Sequence, residues 1–100
     1  MIDEVFDELR RIGVVTSSSE FSTDWLGKQE SYYRGLRNKN RQPSMHVLVS
    51  CACRLQRTSD SLLVYGDDQL RAKGRRMKRL ARRCFAEITS SERISQYAAV

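Results

Sequence analysis

The sequence predicts an all-α domain of five to six helices that ends in a long basic helix. Apolar residues recur every three or four positions in several segments, which is the period of a helix with one buried face. One proline and five glycines in 100 residues leave few helix breakers. The length favours a single domain over residues 1–100, and 40% apolar residues are enough for one core.

The N-terminal segment has the pattern of an amphipathic helix. Residues 2–12 carry apolar side chains at one-turn spacing, with acids in the first turn and arginines in the last. That charge order complements the helix dipole. Gly13 follows as the predicted stop, since glycine commonly ends a helix in the left-handed conformation.

Two shorter helices are predicted next. Ser17 and Glu20 have the spacing of a capping box and begin a helix that Gly27 ends. A further helix is predicted from Gln29 to Arg37, with Tyr33 and Leu36 buried. The run Asn38-Lys39-Asn40 then forms a turn, because asparagine tolerates the left-handed conformation.

The second half contains the longer helices. Ser44 is the predicted N-cap of a fourth helix, and its apolar side chains run from Val47 to Leu55. Residues 58–61 are predicted as a loop, and residues 61–65 fit either a helical turn or a short strand. Gly66-Asp67-Asp68 ends that segment and caps a final helix of about residues 68–89. If Gly74 breaks this helix, the helix begins only after residue 74.

The net charge of +6 is unevenly distributed along the chain. Residues 1–24 contain six acids and two bases, whereas residues 28–41 contain five bases and a single acid. Residues 71–83 contain eight bases and no acid. Basic charge gathered in two blocks can attract a polyanion, although a solvated helix face is the plain alternative.

Several function classes find no support in the sequence. No apolar run reaches the length of a membrane span, and the acidic N-terminus lacks the pattern of a secretory signal, so a cytoplasmic protein is expected. His46 is the lone histidine, and the three cysteines fit buried or half-buried thiols better than a metal site. We expect no cofactor, no metal and no enzymatic activity.

Residues 18–57 follow the order of a helix-turn-helix unit. A short helix ends at Leu26-Gly27, a second helix carries Ser31, Tyr33 and Leu36, and a basic loop runs to Pro43-Ser44. A third helix then has the spacing of an apolar face, at Leu48, Cys51, Ala52 and Leu55. This stretch resembles the Cro-type repressors, also called the Xre family, and the chain is identified as a divergent member.

The divergence lies at a few positions. The family usually has glutamate at the position of Arg37, glycine at that of Lys39 and an apolar residue at that of Lys28. It also has a Leu-Ala pair where Ser22 and Thr23 stand. To place Phe21 at an apolar position of the family's pattern, the alignment therefore has to shift by one residue.

The resemblance implies a DNA-binding regulator of bacterial or phage type. The second helix of such a unit enters the major groove with its N-terminal residues at the base edges. In this register the residues expected to read bases are Gln29, Glu30, Ser31 and Arg34. The residues expected to reach phosphates are Lys28, Arg37, Lys39 and Arg41, together with the Tyr32 hydroxyl if it is exposed.

Double-stranded DNA is therefore the expected partner, and two alternatives stay open. The apolar stripe of the final helix packs either within the chain or against a second copy in a homodimer. The scaffold can also serve as a protein-interaction module, as an antiactivator or phage-type inhibitor would. One continuous basic face would favour DNA, whereas acids of the first helix within that face would favour a protein partner.

Overall fold

The computed structural model describes the backbone of residues 1–98 and the side chains of residues 1–90. Within that range the chain forms five α-helices and no strand, which confirms the predicted all-α fold. No helix among those residues combines the length and the apolar character that a membrane crossing requires.

Helix α1 (Ile2–Arg11) forms as its pattern predicts. Its apolar stripe is buried, and Asp3 and Glu4 lie in its first turn. Gly13 ends the helix with a φ of 79°, and its N–H bonds to the Arg10 carbonyl at 3.1 Å. The left-handed conformation costs glycine little, so the predicted stop is confirmed.

Helix α2 (Ser18–Glu20) continues into a π-helical turn over Phe21–Trp25. Ser17 Oγ accepts the Glu20 N–H at 3.1 Å, which confirms half of the capping box. The Glu20 carboxylate accepts instead from the Thr16 hydroxyl at 2.6 Å. In this π-helical turn the Leu26 N–H bonds to the Phe21 carbonyl at 3.1 Å, five residues earlier, and the Phe21 side chain is fully buried.

Helix α3 (Tyr32–Asn38) begins later than the predicted start at Gln29, so that prediction is wrong for residues 29–31. Gly27 has a left-handed φ of 65° after the π-helical turn, and residues 28–31 form the connection to α3. The Tyr32 N–H closes only a turn onto the Gln29 carbonyl at 3.0 Å. Asn40, with a φ of 52°, ends the helix in the left-handed conformation expected of asparagine.

Helix α4 (Met45–Tyr65) is one continuous helix. Ser44 Oγ caps it by accepting the Val47 N–H at 3.3 Å, as predicted. The loop predicted at residues 58–61 and the strand alternative for residues 61–65 are wrong. The polar side chains there are satisfied within the helix: buried Ser59 donates to the Gln56 carbonyl at 2.8 Å.

Helix α5 (Asp68–Ala98) starts before Gly74 and continues beyond the predicted end near residue 89. Asp67 Oδ1 caps it by accepting the Leu70 N–H at 2.9 Å. Gly74 is buried inside the helix where α4 crosses: an added Cβ would lie 3.1 Å from Leu62 Cβ and 3.2 Å from the Ser59 carbonyl oxygen. The glycine therefore permits close helix packing and does not break the helix.

The core lies where α1, the π-helical turn and α3 pack on α4 and α5. The apolar stripe of α5 is buried within the chain, including Met77, Ala81 and Cys84. Phe6, Phe21 and Tyr33 form an aromatic cluster with ring centroids 4.8 to 5.1 Å apart. This cluster fixes α3 relative to α1 and to the π-helical turn.

Candidate nucleic-acid interface

Tyr33 fixes the orientation of α3. Its side chain is 1% exposed, and its hydroxyl donates to Asp3 Oδ1 on α1 at 2.5 Å. Burial, and then the neighbouring Asp3 carboxylate, raise the pKa of this hydroxyl above its usual value. The Tyr33 N–H donates to Ser22 Oγ of the π-helical turn at 3.0 Å. These contacts hold the inner side of α3 and leave its outer side to solvent.

The side chains predicted to contact DNA lie together around α3. Lys28, Gln29 and Glu30 are in the connection before the helix, and Ser31 directly precedes it. Tyr32, Arg34 and Arg37 are within the helix, and Lys39 and Arg41 follow it. All are exposed except Tyr32, which is half-buried.

The outer face of α3 has a glycine at its centre. Gly35 and Asn38 lie roughly opposite the buried Tyr33, and Arg34 lies beside them, at about 100° per residue. A Cβ added at Gly35 would meet no atom of the described residues within 4 Å. The backbone of α3 is therefore accessible to a partner at this point.

Asn38 is a candidate contact residue that the sequence analysis assigned only to a turn. It is exposed in the last position of α3, one helical turn after Arg34. Asparagine can form two hydrogen bonds to adenine, as arginine can to guanine. The signal for it was the four-residue spacing from Arg34, which becomes visible only when the helix is taken to include residue 38.

The charge around α3 is predominantly positive. Lys28 Nζ lies over the Tyr32 ring at 5.7 Å, and the Arg37 guanidinium lies over the Tyr33 ring at the same distance. Within the part of the chain whose side chains are described, no base of residues 28–41 forms an ion pair. This surface therefore keeps its charge available for an anionic partner.

Acids of α1 separate this surface from the basic helix α5. Asp3 faces Tyr33 of α3, whereas its neighbour Glu4 pairs with Arg83 of α5. Glu8 lies 3.8 Å from Arg76. The two basic blocks therefore do not form one continuous face, which is the arrangement that the sequence analysis associated with a protein partner.

Two open grooves lie at the surface of the described residues. One groove of about 580 Å³ lies between α1 and α5 and is lined mainly by charged side chains, among them Glu4, Glu8 and Arg79. Another of about 590 Å³ lies between the π-helical turn and α4, beside Trp25. Across the described residues no three metal-ligating side chains are clustered.

Two of the three thiols are buried in the core, on the helices α4 and α5. Cys51 of α4 and Cys84 of α5 are both fully buried, and Cys53 is half-buried. Burial raises the pKa of Cys51 to about 12 and that of Cys84 to about 11. Both are therefore neutral core residues near pH 7, as the sequence analysis expected.

The fold and the surface define a small all-α protein that presents a short, basic, accessible helix. The chain belongs to DUF6626, a family of unknown function whose profile matches residues 2–98. No curated protein and no solved structure matches the chain significantly.

Proposed function

We propose that the protein is a sequence-specific DNA-binding regulator of bacterial or phage type, acting in the cytoplasm and built on a helix-turn-helix scaffold like that of the Cro-type repressors. The observation that carries the proposal is the outer face of α3. It is open at Gly35, is flanked by five bases over residues 28–41 and is held from behind by Tyr33. A helix presented in this way suits the width of the major groove.

The residues take two kinds of role in this proposal. Arg34 and Asn38 read base edges from the helix, and Gln29, Glu30 and Ser31 approach the bases from the connection that precedes it. Lys28, Arg37, Lys39 and Arg41 contact phosphates, which supplies salt-dependent affinity without sequence information. The Tyr32 hydroxyl is a further phosphate contact.

Gly35→Leu tests the proposal at the point of closest approach. The added Cβ would meet no described atom within 4 Å, so the fold should be retained. In a groove it would collide with the DNA, so we expect at least a tenfold loss of affinity for a selected duplex. Fluorescence anisotropy with a duplex chosen from a random pool measures this loss, and a thermal melt verifies folding. Unchanged affinity of a folded G35L variant would refute the proposed role of α3.

A second pair of variants separates base reading from phosphate contact. Arg34→Ala should cost about 1–3 kcal/mol against the selected duplex and relax the preference at one base step. Lys39→Ala should weaken binding to all sequences alike and reduce the salt slope by about one. If both variants lower affinity equally for every sequence, the protein binds DNA without base recognition by Arg34.

A protein-interaction module remains the second candidate, because two observations favour it. The acids of α1 interrupt the basic surface, and the tip of the α4–α5 hairpin exposes apolar side chains. Tyr65 is 88% exposed, Val64 65% and Leu70 40%. Exposed aromatic and aliphatic groups of this kind are typical of protein contacts. If the protein binds no duplex at low salt and Tyr65→Ser abolishes capture of a partner, this second function replaces the first.

A further inference from the structure

Seven of the eight bases at residues 71–83 of α5 divide into two groups according to their neighbours. The eighth, Lys73, is half-buried near Gly13 and belongs to neither group. Arg76 and Arg83 are paired with acids of α1, and Lys78 Nζ lies 2.8 Å from Asp60 Oδ1 of α4. The Lys78 contact is the main reason that the pKa of Asp60 is lowered. Each of these three bases therefore has an acidic partner within the protein, although Arg76 shares Glu8 with Arg11.

The second group lies on the outer side of the same helix. Arg71, Arg75, Arg79 and Arg82 are all exposed, and none forms an ion pair with any described side chain. At 1.5 Å per residue they span about 16 Å along α5. Because they point away from the buried stripe of α5, we call them the outer arginine row. Arg79 lies at the edge of this row and also lines the groove between α1 and α5.

The outer arginine row and the α3 surface cannot easily serve one straight duplex. The carboxylates of Asp3, Glu4, Asp7 and Glu8 on α1 lie between them. Glu4 and Glu8 are paired with arginines, whereas Asp3 and Asp7 form no ion pair with any described side chain. A duplex that covered both surfaces would also cover the charges of Asp3 and Asp7, which is unfavourable.

We propose that the outer arginine row is a second, independent surface for the phosphate backbone of duplex DNA, so that one protein molecule bridges two duplexes. This proposal rests on the proposed function of α3, since the first duplex is held there. A duplex carries about ten evenly spaced phosphates over 16 Å of its axis. A straight row of four arginines can therefore contact several phosphates of one duplex.

Other polyanionic partners fit the row less well. Stable binding to a membrane surface takes an apolar face along the charges. The apolar stripe of α5 is buried in the core, and the exposed apolar side chains of the hairpin tip precede the row instead of running along it. A specific protein partner requires a pocket or an aromatic anchor among the charges, and between Arg71 and Arg82 the outer side of the described helix offers only the small apolar residue Ala72.

Two triple variants of equal charge test the proposal. Arg75→Gln, Arg79→Gln and Arg82→Gln remove most of the outer arginine row. Arg76→Gln, Lys78→Gln and Arg83→Gln remove the same number of charges from bases that are already paired. Glutamine retains good helix propensity, so both variants should fold, and circular dichroism verifies this.

The measurement uses two duplexes of the selected sequence, one with a donor dye and one with an acceptor. Anisotropy reports binding of the first duplex, and energy transfer at low salt reports bridging. We expect the outer-row variant to bind the first duplex within twofold of the wild type while losing bridging at least tenfold. The paired-base variant should bridge within twofold of the wild type. The salt slope of the second binding step should be about three to four.

Several results would overturn the proposal. One such result is no energy transfer with the wild type. Another is equal loss of energy transfer in both triple variants, which would indicate a bulk charge effect. A complex of two proteins with two duplexes in sedimentation velocity would assign bridging to a dimer. The G35L variant separates the two proposals: if it leaves the first binding step unchanged while the outer-row variant abolishes it, the α3 proposal fails and the row is the only duplex surface.

Discussion

At the scale of single residues, Tyr33 connects the core to the candidate site. Its ring belongs to the aromatic cluster, its N–H bonds to Ser22 and its hydroxyl bonds to Asp3. The apolar spacing predicted that Tyr33 would be buried, but a hydroxyl partner thirty residues away in sequence cannot be read from a local pattern. This long-range contact makes Tyr33 more than a packing residue.

Tyr33→Phe should destabilise the protein by about 1–2 kcal/mol, because the hydrogen bond to a carboxylate is lost while the ring is retained. Tyr32→Phe is the matched control. The Tyr32 hydroxyl forms no hydrogen bond with any described residue, so the free energy of unfolding should change by less than about 0.5 kcal/mol. Urea denaturation measures both. Equal effects of the two substitutions would mean that the Asp3 contact does not stabilise the fold.

The buried thiols predict a loss of stability at alkaline pH. In the unfolded chain Cys51 and Cys84 ionise near their ordinary pKa of 9.0, whereas in the folded protein their pKa values are about 12 and about 11. The folded state thus binds more protons above pH 9, so stability is complete below that pH and falls as pH rises. Each thiol contributes a slope of up to about 1.4 kcal/mol per pH unit.

Urea denaturation at pH 8, 9 and 10 measures this slope. Cys84→Ala should reduce the slope by about the contribution of one thiol, because one buried group no longer titrates on unfolding. Some loss of stability at pH 8 is expected from the smaller side chain, and only the dependence on pH is diagnostic. A slope identical to that of the wild type would contradict the burial of Cys84.

At the scale of the elements, the sequence predicted the capped and periodic segments well. Side-chain caps at Ser17, Ser44 and Asp67 and the glycine stop at Gly13 are local signals, and each is confirmed. The secondary-structure predictions are wrong where a tertiary contact determines the local conformation. A polar run at residues 58–61 suggested a loop, but packing against α5 keeps it helical.

The start of α3 illustrates the same limit at the candidate site. Helical periodicity from Gln29 to Arg37 gave no reason to begin the helix at Tyr32. The start depends on how the chain crosses from the π-helical turn, and that turn is invisible to a period of 3.6 residues. The set of exposed residues was nevertheless predicted, since exposure depends less on the exact helix boundary.

Gly74→Leu and Gly35→Leu form a matched pair that tests the α4–α5 crossing. Both glycines lie inside helices, but a Cβ at Gly74 would meet Leu62, Ser59 and Leu63 within 3.1 to 3.3 Å. Leucine there should overpack the crossing and cost about 1–3 kcal/mol or more. Leucine at Gly35 should be neutral or stabilise by up to about 1 kcal/mol, because it replaces a weak helix former.

Thermal and urea denaturation of the two leucine variants give the comparison directly. Destabilisation by G74L alone supports close contact between α4 and α5 at Gly74. A G74L variant as stable as the wild type would contradict the continuous α4 helix packed on α5.

At the scale of the whole molecule, the arrangement of charge matters more than its sum. A net charge of +6 alone does not distinguish a DNA-binding protein from a basic scaffold. The structure divides that charge into the α3 surface and the outer arginine row, with the carboxylates of α1 between them. The sequence showed two basic blocks, but their separation depends on where α1 packs.

This division gives the molecule two surfaces of different character. The α3 surface combines charge with polar groups that can distinguish bases, namely Arg34, Asn38 and the residues of the preceding connection. The outer arginine row offers charge alone and would bind without reading sequence. A molecule of this kind would hold one duplex in register and a second one loosely.

The central claim is that DNA contacts the outer side of α3, and backbone amide chemical shifts of the labelled protein test it most directly. On titration with a selected duplex at moderate salt, we predict that the first and largest shifts fall on residues 28–41, while those of α1 change little. Shifts confined to the hairpin tip around Tyr65, or an unchanged spectrum at saturating duplex, would contradict the claim.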